Sequence, residues 1–314
     1  MRTLDPPQAV ARAREGDRLA LARLISAVEE RADTAAAINA ELPPGHAHVV
    51  GITGAPGVGK STTTAALIER WRAQGLTVAV LAVDPSSPFT GGALLGDRVR
   101  MGAHSTDSGV FIRSMAARGQ LGGLAAAAPA AVRVLTGCGF DIVLVETVGV
   151  GQSEVDIVRY ADTVVILQAP GMGDRIQATK AGLMEIGDVL AVNKSDRPGA
   201  NATKRELIAM VSAKPVAAGE WRPPVVPITA TTGAGIDELI GAIADHRRAA
   251  ESSGAADRRR RARVAAEIRS LALGRVDARI DTAAALLDRL TDEVMVGRSD
   301  AQEAADLLLA ELTP

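Results

Sequence analysis

The sequence predicts an α/β fold, a doubly wound and mainly parallel sheet with helices on both faces, extended by helical segments at either end. Three observations carry this reading. From residue 48 onward, short apolar β-branched runs recur (HVVGIT, TVAVLAVD, FDIVLVET, TVVILQAP, DVLAVNKSD and VVPITAT), separated by helical lengths. Buried parallel strands have this continuous apolar character, and parallel neighbours need a crossover long enough to hold a helix. Residues 8–41 carry Ala and Leu at helical spacing and stop at the helix-hostile LPPG of 42–45. After Gly235 the chain reads as helix to its end, broken by the Ser-Ser-Gly of 252–254. The expected organisation is therefore an N-terminal helical extension over 1–45, an α/β domain over 46–248 and a C-terminal helical arm over 249–314.

Composition supports one large core with additions. The chain has 314 residues, 47% hydrophobic but only 2% aromatic, so Ala, Val, Leu and Ile must fill the interior. A formal charge of −2, with basic residues spread along the chain except at Arg258–Arg261, argues against nucleic-acid or membrane-surface partners. That arginine run reads as a solvated helix start. No stretch has the length of a membrane span, and MRTLDPPQAVARAREGD lacks the apolar segment of a signal peptide, so a cytoplasmic location is expected. Cys138 is the single cysteine and the four histidines are scattered, which offers no Cys/His zinc constellation.

Between the run HVVGIT and the helical run STTTAALIERW lie Gly54, Ala55, Pro56, Gly57, Val58, Gly59, Lys60 and Ser61. They fit the phosphate-loop pattern G-x-x-x-x-G-K-S/T in its required strand-to-helix context. Glycines let the backbone curl until successive N–H groups face a β-phosphate, which also meets the positive end of the next helix. Lys60 is expected to bridge the β- and γ-phosphates, Ser61 to offer its hydroxyl to Mg2+, and Thr62 to lie beside the α-phosphate. This is the signature of a P-loop NTPase.

The base is specified further along. Asn193, Lys194, Ser195 and Asp196 form N-K-x-D at the end of a predicted strand. A carboxylate at Asp196 accepts from guanine N1–H and the exocyclic amine, contacts that adenine cannot offer. Lys194 is expected to cover the ring with its stem and Asn193 to tie this loop to the phosphate loop. Thr229, Ala230 and Thr231 read as the last guanine loop, with the Ala230 amide placed for the base oxygen. GTP and GDP are thus the expected ligands.

Mg2+ on a triphosphate needs hard oxygens near the same strand ends. Asp84, Asp97 and Glu146 are the candidates, Glu146 standing where a Walker-B aspartate is usual, and the Gly149 amide is placed to sense the γ-phosphate. Val150 follows where Ras-like GTPases carry the glutamine that orients water. Slow intrinsic hydrolysis is the consequence, with Gln152 nearby but out of register.

With these residues assembled, the chain resembles the MeaB/MMAA/ArgK family, GTPases that act as chaperones of adenosylcobalamin-dependent methylmalonyl-CoA mutase. The resemblance spans nearly the whole chain through GAPGVGKST, VDPSSP with TGG and LLGDRVRM, ETVGVGQSE, QAPGMGDRIQATKAGLMEIGD and NKSD. It implies that Asp84, Asp97 and Glu146 are magnesium and switch carboxylates. It also implies that residues 171–180 are an extra switch that reorders when the mutase docks, with Asp174 and Lys180 as its polar elements. Lys180 would then stabilise charge on the transferred phosphoryl group in place of the missing glutamine. The family further implies a homodimer through the C-terminal helices, which fits apolar stripes in RRRRARVAAEIRSLAL, AAALLDRLTDEVM and AQEAADLLLAEL beyond what a core needs. Phe89 and Thr229 depart from the family pattern without removing a catalytic group. Three other functions compete: a metallocentre-insertion GTPase, which would want a Cys/His cluster; a transport-linked kinase, which NKSD disfavours; and a nucleotide-gated adaptor with negligible catalysis, which Val150 keeps open.

Overall fold

The computed structural model describes residues 4–30, 32–85, 106–117, 128–147, 157–171, 186–213, 215, 217 and 220–312. Helices α1 (Pro6–Arg14), α2 (Arg18–Glu30) and α3 (Ala32–Glu41) precede β1 (His48–Thr53) and α4 (Lys60–Ala73). Then come β2 (Val78–Pro85), β3 (Val110–Ala117), α5 (Ala128–Gly137), β4 (Ile142–Thr147), a one-turn 3-10 helix (Ile157–Arg159), β5 (Thr163–Gln168) and β6 (Val189–Val192). The chain continues through α6 (Ala200–Ala213), β7 (Val225–Pro227), α7 (Ile236–Ser252), α8 (Ala255–Thr282), α9 (Ala284–Met295) and α10 (Ala301–Leu312).

The described strands form a seven-stranded sheet in the order β3-β2-β4-β1-β5-β6-β7, every pair parallel. All six residues of β1, β4 and β5 are buried, as strands covered by helices on both sides must be. Alternation assigns the two faces. Val50 and Ile52 of β1 join Leu67, Ile68 and Trp71 of α4 and Ile236, Leu239 and Ile243 of α7. Val49 and Val143 point the other way, to a cluster holding Leu24 and Ile25 of α2, Ile38 of α3 and Leu135 of α5. Gly51 has no side chain on that face, where a Cβ would come within 2.6 Å of Ile157, so glycine admits the 3-10 turn.

Sequence reading found six of these strands and missed β3. Arg113 and Ser114 interrupt its apolar run, and among the described strands it pairs only with β2, at the sheet edge, so it needs no continuous hydrophobic pattern. Arg113 reaches α2 instead, donating to Ser26 Oγ at 2.9 Å and Glu29 Oε2 at 3.2 Å. The run VVPITAT contributes only Val225–Pro227 as strand, because Thr229 turns back to accept and donate within its own loop.

A polar rail crosses the sheet edge formed by strand N-termini. His48 Nε2 and Thr163 Oγ1 are 2.8 Å apart, and the same hydroxyl lies 2.7 Å from His246 Nδ1. His246 Nε2 is 3.2 Å from Asp188 Oδ1, and Arg259 donates to both Asp188 carboxylate oxygens at 2.6 and 2.9 Å. His48, Thr163, Asp188 and His246 are all buried, so these partners replace lost water. Burial pushes the Asp188 carboxyl up, but hydrogen bonds and charge from His246 and Arg259 outweigh it and hold the group below the usual carboxylate range. Burial drives the His48 imidazole down to about 4.

The chain divides into two compact units, Met1–Arg259 and Arg260–Pro314. The first contains α1 to α3, whose apolar faces share the cluster beneath β3 and α5. In the second, Leu290, Ala304 and Leu308 pack with Ile280, Leu286 and Val294. Among the described residues no helix is long and apolar enough to cross a membrane.

Candidate nucleotide site

The strand C-termini carry the candidate residues. After β1 the backbone must bend sharply, and Gly54 (φ 145°) permits this while lying so close to β5 that a Cβ would sit 2.4 Å from the Leu167 carbonyl oxygen. Gly59 caps α4 at φ 99°, with a Cβ position 2.3 Å from Asn193 Nδ2. Lys60, buried at the first position of α4, folds back to donate to the carbonyls of Gly54 at 2.7 Å and Ala55 at 3.2 Å. The loop is thereby held in its curled form around its own lysine.

Glu146, the next-to-last residue of the fully buried β4, is 3% exposed. Two hydroxyls from α4 grip it: Ser61 Oγ donates to Oε1 at 2.7 Å and Thr64 Oγ1 to Oε2 at 2.8 Å. Hydrogen bonds of this charge-assisted kind are the stronger class. Asp84 stands on the neighbouring β2, two residues beyond Ala82, the register partner of Glu146. The remaining switch candidates, Asp97, Gly149, Val150, Gln152, Asp174 and Lys180, lie outside the described residues.

Asn193 joins the base loop to the phosphate loop. Its Nδ2 donates to the Val58 carbonyl at 2.7 Å and its Oδ1 accepts from the Ala230 amide at 3.1 Å, so one buried side chain spans three loops. Lys194, the one non-glycine residue at positive φ (57°) among those described, extends across the phosphate loop to donate to the Gly57 carbonyl at 2.7 Å. Ser195 accepts the same register, its amide donating to Ile228 O at 3.0 Å and its hydroxyl lying 3.0 Å from Thr229 Oγ1. Asp196, next along the turn, is exposed. The Ala230 amide, expected at the base oxygen, is thus already used by Asn193.

Two polar residues here escaped sequence reading. Thr64 carried a signal: hydroxyls at Ser61 and Thr64 have the i, i+3 spacing that places them side by side on a helix. Gln168, at the end of β5, is buried with no hydrogen-bond partner for its Oε1 among the described residues, and although it opens the segment QAPGMGD no role was read for it. Cys138 is buried, and burial pushes its thiol up to about 11, away from the thiolate form that reacts.

A family model described as methylmalonyl-CoA mutase-associated GTPase MeaB matches residues 21–285. A Pyrococcus horikoshii protein with a provisional GTPase name is 47% identical over 307 residues, covering 96% of this chain and 97% of its own. The mouse protein named mitochondrial methylmalonic aciduria type A homolog is 40% identical over 193 residues, covering 60% of this chain and 46% of its own. The crystal structure of a protein described as an LAO/AO transport system kinase aligns with a TM-score of 0.71 at 26% identity, covering 99% of this chain and 100% of that one.

Proposed function

The chain belongs to the MeaB family of GTPases, and from that premise we propose that it couples its guanine-nucleotide state to adenosylcobalamin loading and protection of methylmalonyl-CoA mutase or a related cobalamin mutase. Its reaction is hydrolysis of GTP to GDP and phosphate. The observation that carries the nucleotide part of this reading is the bridge made by Asn193, which unites the phosphate loop with both base loops. The mutase part rests on the family's description and on the mouse relative's name.

Hydrolysis proceeds by in-line attack of water on the γ-phosphate. Lys60 exchanges its two carbonyl acceptors for β- and γ-phosphate oxygens, which bind an ammonium more strongly because both partners are charged. The backbone N–H groups of residues 57–61 and the start of α4 then face the phosphate charge. Asp196 accepts from the guanine edge, and the Lys194 stem lies over the ring plane. The Ser61 hydroxyl and Glu146 carboxylate are hard oxygens brought together at one point, a donor set that fits magnesium, and the family resemblance adds Asp84 and Asp97 as further carboxylates for that ion. The ion, when bound, neutralises charge on the β- and γ-phosphates. Gly149 reports the γ-phosphate to the switch, Asp174 is a polar element of the extra switch, and Lys180 stabilises charge on the transferred phosphoryl group in place of the glutamine that Val150 replaces. Substituting Lys180 with Ala removes partner-stimulated turnover under this reading; unchanged stimulation rejects that role.

The second unit serves homodimerisation. Val264, Ile268, Leu273 and Val276 of α8 are 36% to 63% exposed, apolar surface that a second copy would cover. The experiment for the whole proposal is capture of the tagged protein from its own cell extract with GTP, GDP or a non-hydrolysable GTP analogue. A cobalamin mutase retained in a nucleotide-dependent manner supports it. Its absence in all three states leaves a nucleotide-gated adaptor for some other partner.

A further inference from the structure

The two base loops are joined beside Asp196 by a bond that the motif of neither loop requires. Ser195 stands at the unrestricted position of N-K-x-D, yet its Oγ lies 3.0 Å from Thr229 Oγ1, 34 residues further along the chain. Two other bonds run between the same loops: the Ser195 amide donates to the Ile228 carbonyl at 3.0 Å, and Asn193 Oδ1 accepts from the Ala230 amide at 3.1 Å. The hydroxyl pair is the side-chain link on the residue directly before Asp196.

Thr229 is the fixed member of the pair. It is 7% exposed, its amide donates to the Ala234 carbonyl at 2.8 Å, and its carbonyl accepts from the Thr232 and Gly233 amides, both at 3.0 Å. Ser195 is half-buried, and the chain beyond it, from Asp196 to Gly199, is exposed. Serine and threonine hydroxyls in turns ordinarily bond to backbone a few residues away. These two instead meet each other across two loops. We infer that Ser195 is a positioning residue for base selectivity, fastening the loop that carries Asp196 to the Thr229 turn so that the carboxylate meets the guanine edge squarely. A carboxylate accepts from N1–H and the exocyclic amine together only when both of its oxygens lie along that edge, and hydrogen bonds weaken steeply once they are bent.

The inference rests on the reading of Asp196 as the guanine acceptor, and the test separates the two. Inosine diphosphate (IDP) lacks the exocyclic amine but keeps N1–H and the ring oxygen, so the ratio of GDP to IDP affinity measures how well the carboxylate is placed. Full-length parent, Ser195→Ala, Ser195→Thr, Thr229→Val and the Ser195→Ala/Thr229→Val double variant are titrated with GDP and with IDP in competition with a fluorescent GDP analogue. Thermal unfolding is recorded without nucleotide. Ser195→Ala is expected to lower the GDP-to-IDP ratio about 3- to 10-fold, the range of one net hydrogen bond. Thr229→Val lowers it likewise, and the double variant lowers it no further, because both substitutions break one bond. Ser195→Thr keeps the hydroxyl and stays within about twofold of the parent. A Ser195→Ala protein with the parent's ratio, whatever its melting temperature, shows a structural role only and overturns the inference. So does a double variant whose loss is the product of the two single losses. Should Thr229→Val fail to fold, the Ser195→Ala and Ser195→Thr proteins decide. A parent that binds GDP and IDP equally overturns the Asp196 reading itself, and this inference with it.

Discussion

At the residue scale, the proposed function assigns the choice of base to Asp196, which is exposed at the end of a loop held by its neighbours. Asn193 and Lys194 both bond the phosphate loop, so Asp196 is presented on a fixed frame. An Asp196→Asn protein trades one of the two acceptor oxygens for an N–H donor, so guanine N1–H and the exocyclic amine can no longer both be accepted. Its GTP affinity should fall about 100-fold, a loss of about 3 kcal/mol. Xanthosine triphosphate, whose ring carries an oxygen in place of that amine, should bind the variant better than GTP does; competition titration with the two nucleotides checks it. NKSD was legible in sequence because Asn193, Lys194 and Asp196 stand at a fixed spacing at a strand end, each of a type suited to the role expected of it. Thr64 was not, since a buried hydroxyl shows its purpose only once the strand end bearing Glu146 is beside it. The Ala230 amide was legible in place but not in partner: the loop folds so that Asn193 Oδ1 reaches it first.

At the element scale, six strands announced themselves through continuous apolar runs, and the polar rail explains why their ends did not. His48, Thr163 and Asp188 look like ordinary boundary residues in sequence, yet each lies buried at the start of β1 or β5 or just before β6. Nothing local predicts that His246, a helix later, will meet them. Asp188 accepts from Arg259, lies beside His246 and caps the Val164 amide at 2.9 Å. Asp188→Asn should therefore lower unfolding free energy by about 3 kcal/mol in urea titration, at the low end for a broken buried pair because the Arg259 side chain is 43% exposed. The rail also sets acid stability. His48 is depressed to about 4 when folded, against about 6.5 unfolded, so between these values the unfolded chain binds the extra proton. Stability is thus full above pH 6.5 and declines as pH falls toward 4, by about 3 kcal/mol from this residue. Asp188, its carboxyl held low, adds a further loss as pH drops through the unfolded carboxylate range. Urea midpoints from pH 7 to 4 should fall for the parent and fall less for His48→Gln, which keeps a partner for Thr163 but has no titrating group.

At the scale of the whole molecule, the candidate nucleotide edge and the polar rail occupy opposite ends of the same strands. Asp188 and Asn193 are separated only by the four residues of β6. The second unit begins at Arg260, directly after the arginine that clamps Asp188. Sequence reading anticipated helices on both flanks, but the first three belong to the compact unit of the sheet through Leu24, Ile25 and Ile38. Amphipathic spacing identifies a helix without saying which surface will cover it. The central claim is that GTP hydrolysis here serves a partner enzyme. Its most direct test is single-turnover GTP hydrolysis by the full chain with and without purified adenosylcobalamin-dependent methylmalonyl-CoA mutase. The account predicts slow hydrolysis alone and clear acceleration by the mutase, in step with complex formation. Equal rates in both reactions, with no complex in any nucleotide state, would contradict it.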